Sequence, residues 1–288
     1  MLDRDTLQKV RRIRIRTRSI MESGIVGSYH AVFKGRGMEF AAVREYTPGD
    51  DVRSIDWNVT ARMGTPYVKM YAEERDLTLL LLVDVSGSQS FGSRFLLKRD
   101  YAAELAAVLA FSAVKNQDRV GAVLFSDRIE SFIAPSRGFD HAQRIVRDLL
   151  ACEPKGRGTD IAAALRFARR SMKRRGIVAV LSDFEDQGYE KALGVLRSRH
   201  DVIAFQIFDP GERQVPSAGL AVLLDPETGE RRVVDTSDPW VQARLLSTPS
   251  QATKESFRKA RVDALLLSTA ESYERPLEAF FKTRERRR

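Results

Sequence analysis

Residues 79–88 read Leu-Leu-Leu-Leu-Val-Asp-Val-Ser-Gly-Ser. An apolar run at 79–83 with no polar break is the pattern of a strand covered on both faces, as in a parallel sheet between helical layers. The run passes straight into Asp84, Ser86 and Ser88, whose alternation sends all three side chains into one hollow. Gly87 permits the tight turn that leads onward. Two further apolar runs end the same way: 120–125 meets Ser126 and Asp127, and 177–181 meets Ser182 and Asp183. Ligands of open parallel sheets bind outside the carboxyl ends of the strands, so these polar ends are expected to face one site.

Strand and helix alternate through the rest of the chain. Helical texture is expected at 95–115, 141–150, 160–173, 189–197, about 240–259 and 274–283, and further strands at 129–133, 202–208 and 263–267. The expected fold class is α/β, a doubly wound, mostly parallel sheet with helices on both faces. That rhythm breaks at about 210–236, where 220–224, the turn Pro226-Glu227-Thr228-Gly229 and 232–234 predict an inserted β-hairpin. Before the sheet the texture differs. Residues 1–25 fit a helix with Leu7, Val10, Ile13 and Ile20 roughly on one side. Short β-like pieces follow at 39–46, 54–61 and 67–73, separated by turn chemistry at Thr47-Pro48-Gly49-Asp50 and Met63-Gly64-Thr65-Pro66. The expected division is a helix and small β subdomain over 1–76 and an α/β domain over 77–288.

Composition bounds the rest. A chain of 288 residues that is 43% hydrophobic and 30% charged is neither disordered nor fibrous. The single Cys152 cannot form an internal disulfide. Arg crowds the first twenty residues where a signal peptide would be apolar, and the apolar runs at 79–83 and 105–111 are far too short to span a bilayer, so a cytoplasmic protein is expected. The net charge of +9 is terminal: residues 1–22 and 254–288 carry +4 each, leaving +1 over everything between. Such runs read as solvated faces or tails, and a nucleic-acid partner is not expected.

One carboxylate and two hydroxyls in Asp84-x-Ser86-x-Ser88 form an all-oxygen set suited to a hard ion such as Mg²⁺, with Mn²⁺ or Ca²⁺ as alternatives. More oxygen donors come from Thr159, in the glycine-rich loop Gly156-Arg157-Gly158-Thr159-Asp160, and from Asp183. Taken together, Asp84, Ser86, Ser88, Thr159 and Asp183 resemble the metal-ion-dependent adhesion site of von Willebrand factor A domains, in order and on the matching elements. That resemblance implies that the two serines and the threonine ligate the metal, that Asp84 and Asp183 act mainly through bound water, and that a partner's Glu or Asp completes the sphere. It implies a protein-binding module and no catalytic residues. One departure is that Phe184 follows Asp183 where many such domains carry glycine, with Glu185 and Asp186 adding acid beside the site.

The segment ahead of the sheet narrows the resemblance. Arg36-Gly37-Met38-Glu39-Phe40, then Arg44-Glu45-Tyr46-Thr47-Pro48-Gly49-Asp50-Asp51-Val52-Arg53-Ser54-Ile55-Asp56-Trp57, then the stretch from Lys69 to Glu74, is similar to the bacterial family called domain of unknown function fifty-eight. Members are commonly associated with MoxR-type AAA+ ATPases, which implies an adaptor that serves such an ATPase in assembly or maturation of a client complex. Within the block, Asp50 or Asp51 can bond the turn backbone and Arg44, Arg53 and Asp56 can pair. Trp57 reads as a buried anchor for the small strands or as part of a docking surface. Arg44, Asp56, Trp57 and Glu185 are the candidate partner-binding residues.

Enzyme readings find less support. There is no Walker A sequence, Gly35-Arg36-Gly37 lacks the third glycine of a dinucleotide fingerprint, and no G-x-S-x-G elbow occurs. His30, His141 and His200 lack ligand spacing and read as surface or loop residues. A metal-dependent phosphoesterase using Asp84, Asp183 and Glu185 is the alternative, and a nucleic-acid-binding protein using its basic ends the second.

Overall fold

Asp56 prevents the second expected β piece from being a strand. Its carboxylate accepts from the backbone N–H groups of Asn58 and Val59 at 3.0 and 3.2 Å, an N-cap that satisfies two orphan donors. The chain turns helical there, giving α1 (Trp57–Met63), which Gly64 closes in the left-handed conformation at φ 75°. In the computed structural model, which describes residues 8–13, 17, 27, 29, 38–73, 77–93, 96–212, 216–241 and 251–287, α1 lies between two antiparallel strands, β1 (Met38–Glu45) and β2 (Tyr67–Glu73). The unit at 33–77 is therefore a strand pair with one short helix, where three strands were expected.

The remaining described residues form a second unit. Its first strand, β3 (Thr78–Asp84), is buried from Leu79 onward. Then come α2 (Lys98–Lys115), β4 (Arg119–Phe125), β5 (Ile129–Ser136), α3 (Phe139–Leu150), α4 (Ile161–Ser171) and β6 (Ile177–Ser182). After these run α5 (Glu190–Arg197), β7 (Asp201–Phe208), the strand pair β8 (Leu220–Leu224) and β9 (Arg231–Asp235), α6 (Gln251–Ala260), β10 (Asp263–Ser268) and α7 (Glu274–Arg287). Six strands share one sheet in the order β10-β7-β6-β3-β4-β5, parallel except where β5 runs against β4. The fold is the α/β, mostly parallel architecture expected, with the inserted hairpin in place as β8 and β9.

Alternate residues of each central strand point to opposite faces. Leu80, Leu82, Val123, Phe125, Val178, Val180, Val202 and Ala204 form one core with Ile161, Leu165, Leu193, Leu196 and Phe257 of α4, α5 and α6. The other face meets α2 and α7, with Phe205 of β7 against Phe280 of α7 at 6.2 Å and Tyr101 of α2 against Tyr273 at 5.5 Å. Alanines at 102, 103, 106, 107, 110 and 113 are all buried, and their small size lets α2 lie close on the strands.

The N-terminal residues depart from the expected division. Those described up to position 32 cluster with the α/β unit, not with the small strands. Lys9 pairs with Asp100 at 2.9 Å and Arg12 with Glu104 at 3.8 Å, so polar residues at the start of α2 are buried with partners. Most of the helix expected over 1–25, residues 28 and 30–37, and 242–250 of the helix expected at 240–259 lie outside the described residues. His200, read as a surface or loop residue, lies in the short loop between α5 and β7 but is fully buried. Among the described residues no helix is long and apolar enough to cross a membrane.

Candidate metal-binding site

The chain leaves β3 for β4 on one side and returns to β6 on the other, so the crevice between β3 and β6 is the topological switch point of the sheet. Asp84 ends β3, and Ser182 and Asp183 end β6. Asp84 accepts the Ser182 hydroxyl at 2.6 Å and the Ser86 backbone N–H at 2.9 Å. The Ser86 and Ser88 hydroxyls lie 3.1 Å apart, and Ser88 donates to Oδ2 of Asp183 at 2.9 Å. Four of the five residues expected to gather round an ion, Asp84, Ser86, Ser88 and Asp183, thus meet in one network.

Thr159 reaches the same rim by another route. The Gly87 N–H donates to the Arg157 carbonyl at 2.9 Å, which ties the two loops together, and Asp160 N–H donates to Ser126 O at 2.9 Å. A Cβ on Gly156 would lie 2.2 Å from Oδ1 of Asp127 and 2.3 Å from Oγ of Ser126, so a larger residue there would have to turn those side chains aside. The Thr159 hydroxyl donates to Oε1 of Glu227, at the tip of the inserted hairpin, at 2.9 Å.

The carboxylates are held in a consistent way. Burial first, and then the charge of Asp183, lifts the Asp84 carboxyl well above the usual range, against the bonds from Ser182 and Ser86. Burial lifts Glu185 as well, with Asp183 and Glu212 adding to it. A carboxylate kept ionised here at neutral pH repels its neighbours, a cost that the Lys98 ammonium, 2.8 Å from Asp183, already offsets in part and that a further cation would relieve more fully. A hydroxyl that donates its proton to a carboxylate keeps its lone pairs for an ion, which is the state of Ser88 on Asp183. The donor set is all oxygen and fits a hard divalent ion. Among the described residues no three His, Cys, Asp or Glu side chains come together as a metal cage. An ion at this rim would have to rest mainly on hydroxyls and water.

Several participants escaped the sequence reading. Lys98, at the first turn of α2, is 1% exposed and donates to Asp183 Oδ2 at 2.8 Å and to Glu212. Burial works to lower its ammonium, but Asp183 and Glu212 outweigh that and hold it above the usual lysine range. Gln89 donates to the same Asp183 oxygen at 3.0 Å. Phe184 occupies the left-handed region at φ 59°, a conformation natural to glycine and costly for an aromatic residue. That is the physical content of the departure noted after Asp183. The strained backbone is held by Phe184 N–H donating to Ser182 Oγ at 3.0 Å, and by the ring packing on Phe257 at 4.9 Å and Tyr189 at 5.9 Å.

The family-model match falls on residues 42–255, with the description "Protein of unknown function DUF58". The chain belongs to the DUF58 family. An uncharacterized protein of Mycobacterium bovis is 31% identical to this DUF58 chain over 223 residues, 76% of this chain and 70% of that protein. A Paracoccus denitrificans protein described as lying in the moxR 3′ region is 44% identical over 77 residues, 25% of this chain and 72% of that one. Among solved structures, BatB of Bacteroides thetaiotaomicron aligns at a TM-score of 0.49 and 14% identity, over 73% of this chain and 99% of that one.

Of the candidate partner-binding residues, Glu185 lies beside the strand-end site with part of its surface in solvent and its carboxyl partly desolvated. Arg44, Asp56 and Trp57 lie in the unit at 33–77. Arg44 pairs with Asp50 through two bonds of 2.8 and 2.6 Å, not with Asp56, which caps α1 through Oδ1 and faces Lys69 at 3.8 Å through Oδ2. Asp50 also accepts Thr47 N–H at 2.9 Å, the turn-backbone bond expected of it, and Arg44 holds its carboxyl far below the usual range. Trp57 is 67% exposed. The reading of Trp57 as a buried anchor is corrected, since as the first residue of a capped surface helix its side chain stays in solvent.

Proposed function

We propose that this chain is a divalent-cation-dependent protein-binding module, the adaptor partner of a MoxR-type AAA+ ATPase in assembly or maturation of a client complex. The observation that carries the reading is Ser88 donating to Asp183 across a gap of 95 residues, with the Ser86 hydroxyl beside it. Hydroxyls from one loop and a carboxylate from another are arranged at the sheet's switch point, where ligands of such sheets bind. Ser86, Ser88 and Thr159 would hold the ion, Mg²⁺ by preference, and Asp84 and Asp183 would fix the hydroxyls and the ordered water. The ion supplies a site hungry for an external carboxylate, because few of its own ligands carry charge. The genomic setting of the Paracoccus denitrificans relative, beside moxR, supports the choice of ATPase. Trp57, exposed with Val52 and Met63, supports a second contact face on the unit at 33–77.

The test is capture of a MoxR-type ATPase from the same organism by the immobilised chain. Capture with Mg²⁺ that is lost with chelator, and lost in Ser86→Ala with Ser88→Ala while the variant stays folded, supports the reading. Equal capture with chelator contradicts it.

A further inference from the structure

The inserted hairpin does not stand clear of the strand ends. Its turn sits directly on the Asp84-to-Ser88 loop, so closely that a Cβ on Gly87 would come within 2.4 Å of the Pro226 carbonyl oxygen and 3.2 Å of the Arg157 carbonyl. From this turn Glu227 accepts the Thr159 hydroxyl at 2.9 Å. The turn is rigid in itself: Asp225 accepts from the N–H groups of Glu227 and Thr228 at 2.9 and 3.2 Å, and Gly229 N–H closes onto Asp225 O at 2.8 Å. At the other end of the hairpin, Thr236 donates to Gly219 O through both its N–H and its hydroxyl, at 2.9 and 2.8 Å. The hairpin is thus a preformed arm that delivers one carboxylate to a fixed place.

Asp183, Asp225 and Asp186 each act on Glu227 with its own sign, while Thr159 donates to it and the Arg157 guanidinium lies beside Gly229 of the same turn. A divalent ion between Glu227 and the loop hydroxyls would offset the repulsion among these carboxylates.

The geometry points to Glu227 as the site's own carboxylate ligand, with the hairpin turn seated where a partner's acid would otherwise enter. The inference rests on the cation-site reading above and adds to it that the chain caps itself. A partner's Glu or Asp then has to compete with Glu227 and lift the turn from Gly87, so the hairpin sets the threshold for capture.

The test uses the full chain with Mn²⁺ as the probe, read by calorimetry and by hydrogen–deuterium exchange over residues 220–235. Glu227→Gln keeps a hydrogen-bonding side chain on Thr159 and removes only the charge. The expected result is Mn²⁺ binding with added protection of the turn amides in the parent chain, an affinity about tenfold or more weaker in Glu227→Gln, and no metal-dependent protection in the variant. Gly87→Ala, which drives the turn off by its Cβ, should lose the same protection with Glu227 intact. Unchanged or tighter Mn²⁺ binding in Glu227→Gln, or turn amides indifferent to metal, overturns the self-capping inference and leaves the cation site standing. Failure of the parent chain to bind Mn²⁺ overturns both.

Discussion

The ammonium of Lys98 lies 2.8 Å from Oδ2 of Asp183, and both side chains are withdrawn from solvent, at 1% and 4% exposure. The same ammonium pairs with Glu212, so one buried cation bridges the end of β6 to the segment after β7. Removing one partner of such a pair leaves an uncompensated buried charge. Lys98→Met should cost about 3–5 kcal/mol, seen as a lowered urea midpoint with unchanged slope. Added Mg²⁺ should restore part of the loss by giving Asp183 another cation. A midpoint equal to the parent's would show that the pair does not carry this load.

The left-handed Phe184 makes a second prediction. Phe184→Ala loses the contacts with Phe257 and Tyr189 and should cost about 3–5 kcal/mol. Phe184→Gly loses the same contacts but relieves the backbone at φ 59°, so it should be more stable than the alanine variant by about 1 kcal/mol. Equal midpoints by chemical denaturation would mean that the backbone is not strained.

These two residues mark where the sequence stops being legible. The unbroken run at 79–83, the polar residues at three strand ends and the glycine-rich loop before α4 were enough to anticipate the sheet and the meeting of Ser86, Ser88 and Asp183, because strand direction alone sends those ends to one edge. Lys98 was visible only as a charge at the start of an alanine-rich helix, and nothing local says that a lysine there turns inward. Glu227 lies 68 residues from Thr159. Its place follows from how the hairpin folds back, which no short-range pattern encodes. Residues 54–61 misled for the opposite reason: β-prone Ile55, Trp57 and Val59 alternate, but the Asp56 cap and Gly64 at the far end favour a helix.

Asp209 predicts a pH dependence. It is fully buried and accepts from Ser93 N–H at 3.0 Å, Gly211 N–H at 2.7 Å, Thr269 Oγ1 at 2.5 Å and the Ser93 hydroxyl. Burial alone would raise its carboxyl, but these bonds outweigh it and hold the group below its usual value. A depressed carboxylate contributes stability that is fully present above its unfolded value of about 4. That stability is lost as pH falls through the folded-state value. Asp209→Asn should therefore flatten the acid limb of urea midpoint against pH. Parallel curves for parent and variant would contradict this.

Trp57 separates docking from folding. Exposed at 67%, it should be replaceable by alanine with a stability change within about 0.5 kcal/mol. Trp57→Ala should nevertheless weaken capture of the ATPase at least about fivefold, the order of a 1 kcal/mol interface residue. A large loss of stability, or full capture by a stable variant, would remove the docking face from the account.

The most direct measurement is isothermal titration of the purified, chelator-treated chain with Mg²⁺ and Mn²⁺, beside Ser86→Ala with Ser88→Ala. One divalent ion per chain is expected, lost in the double variant while its circular dichroism matches the parent. Absence of saturable uptake by the parent, or equal uptake by the variant, would contradict it.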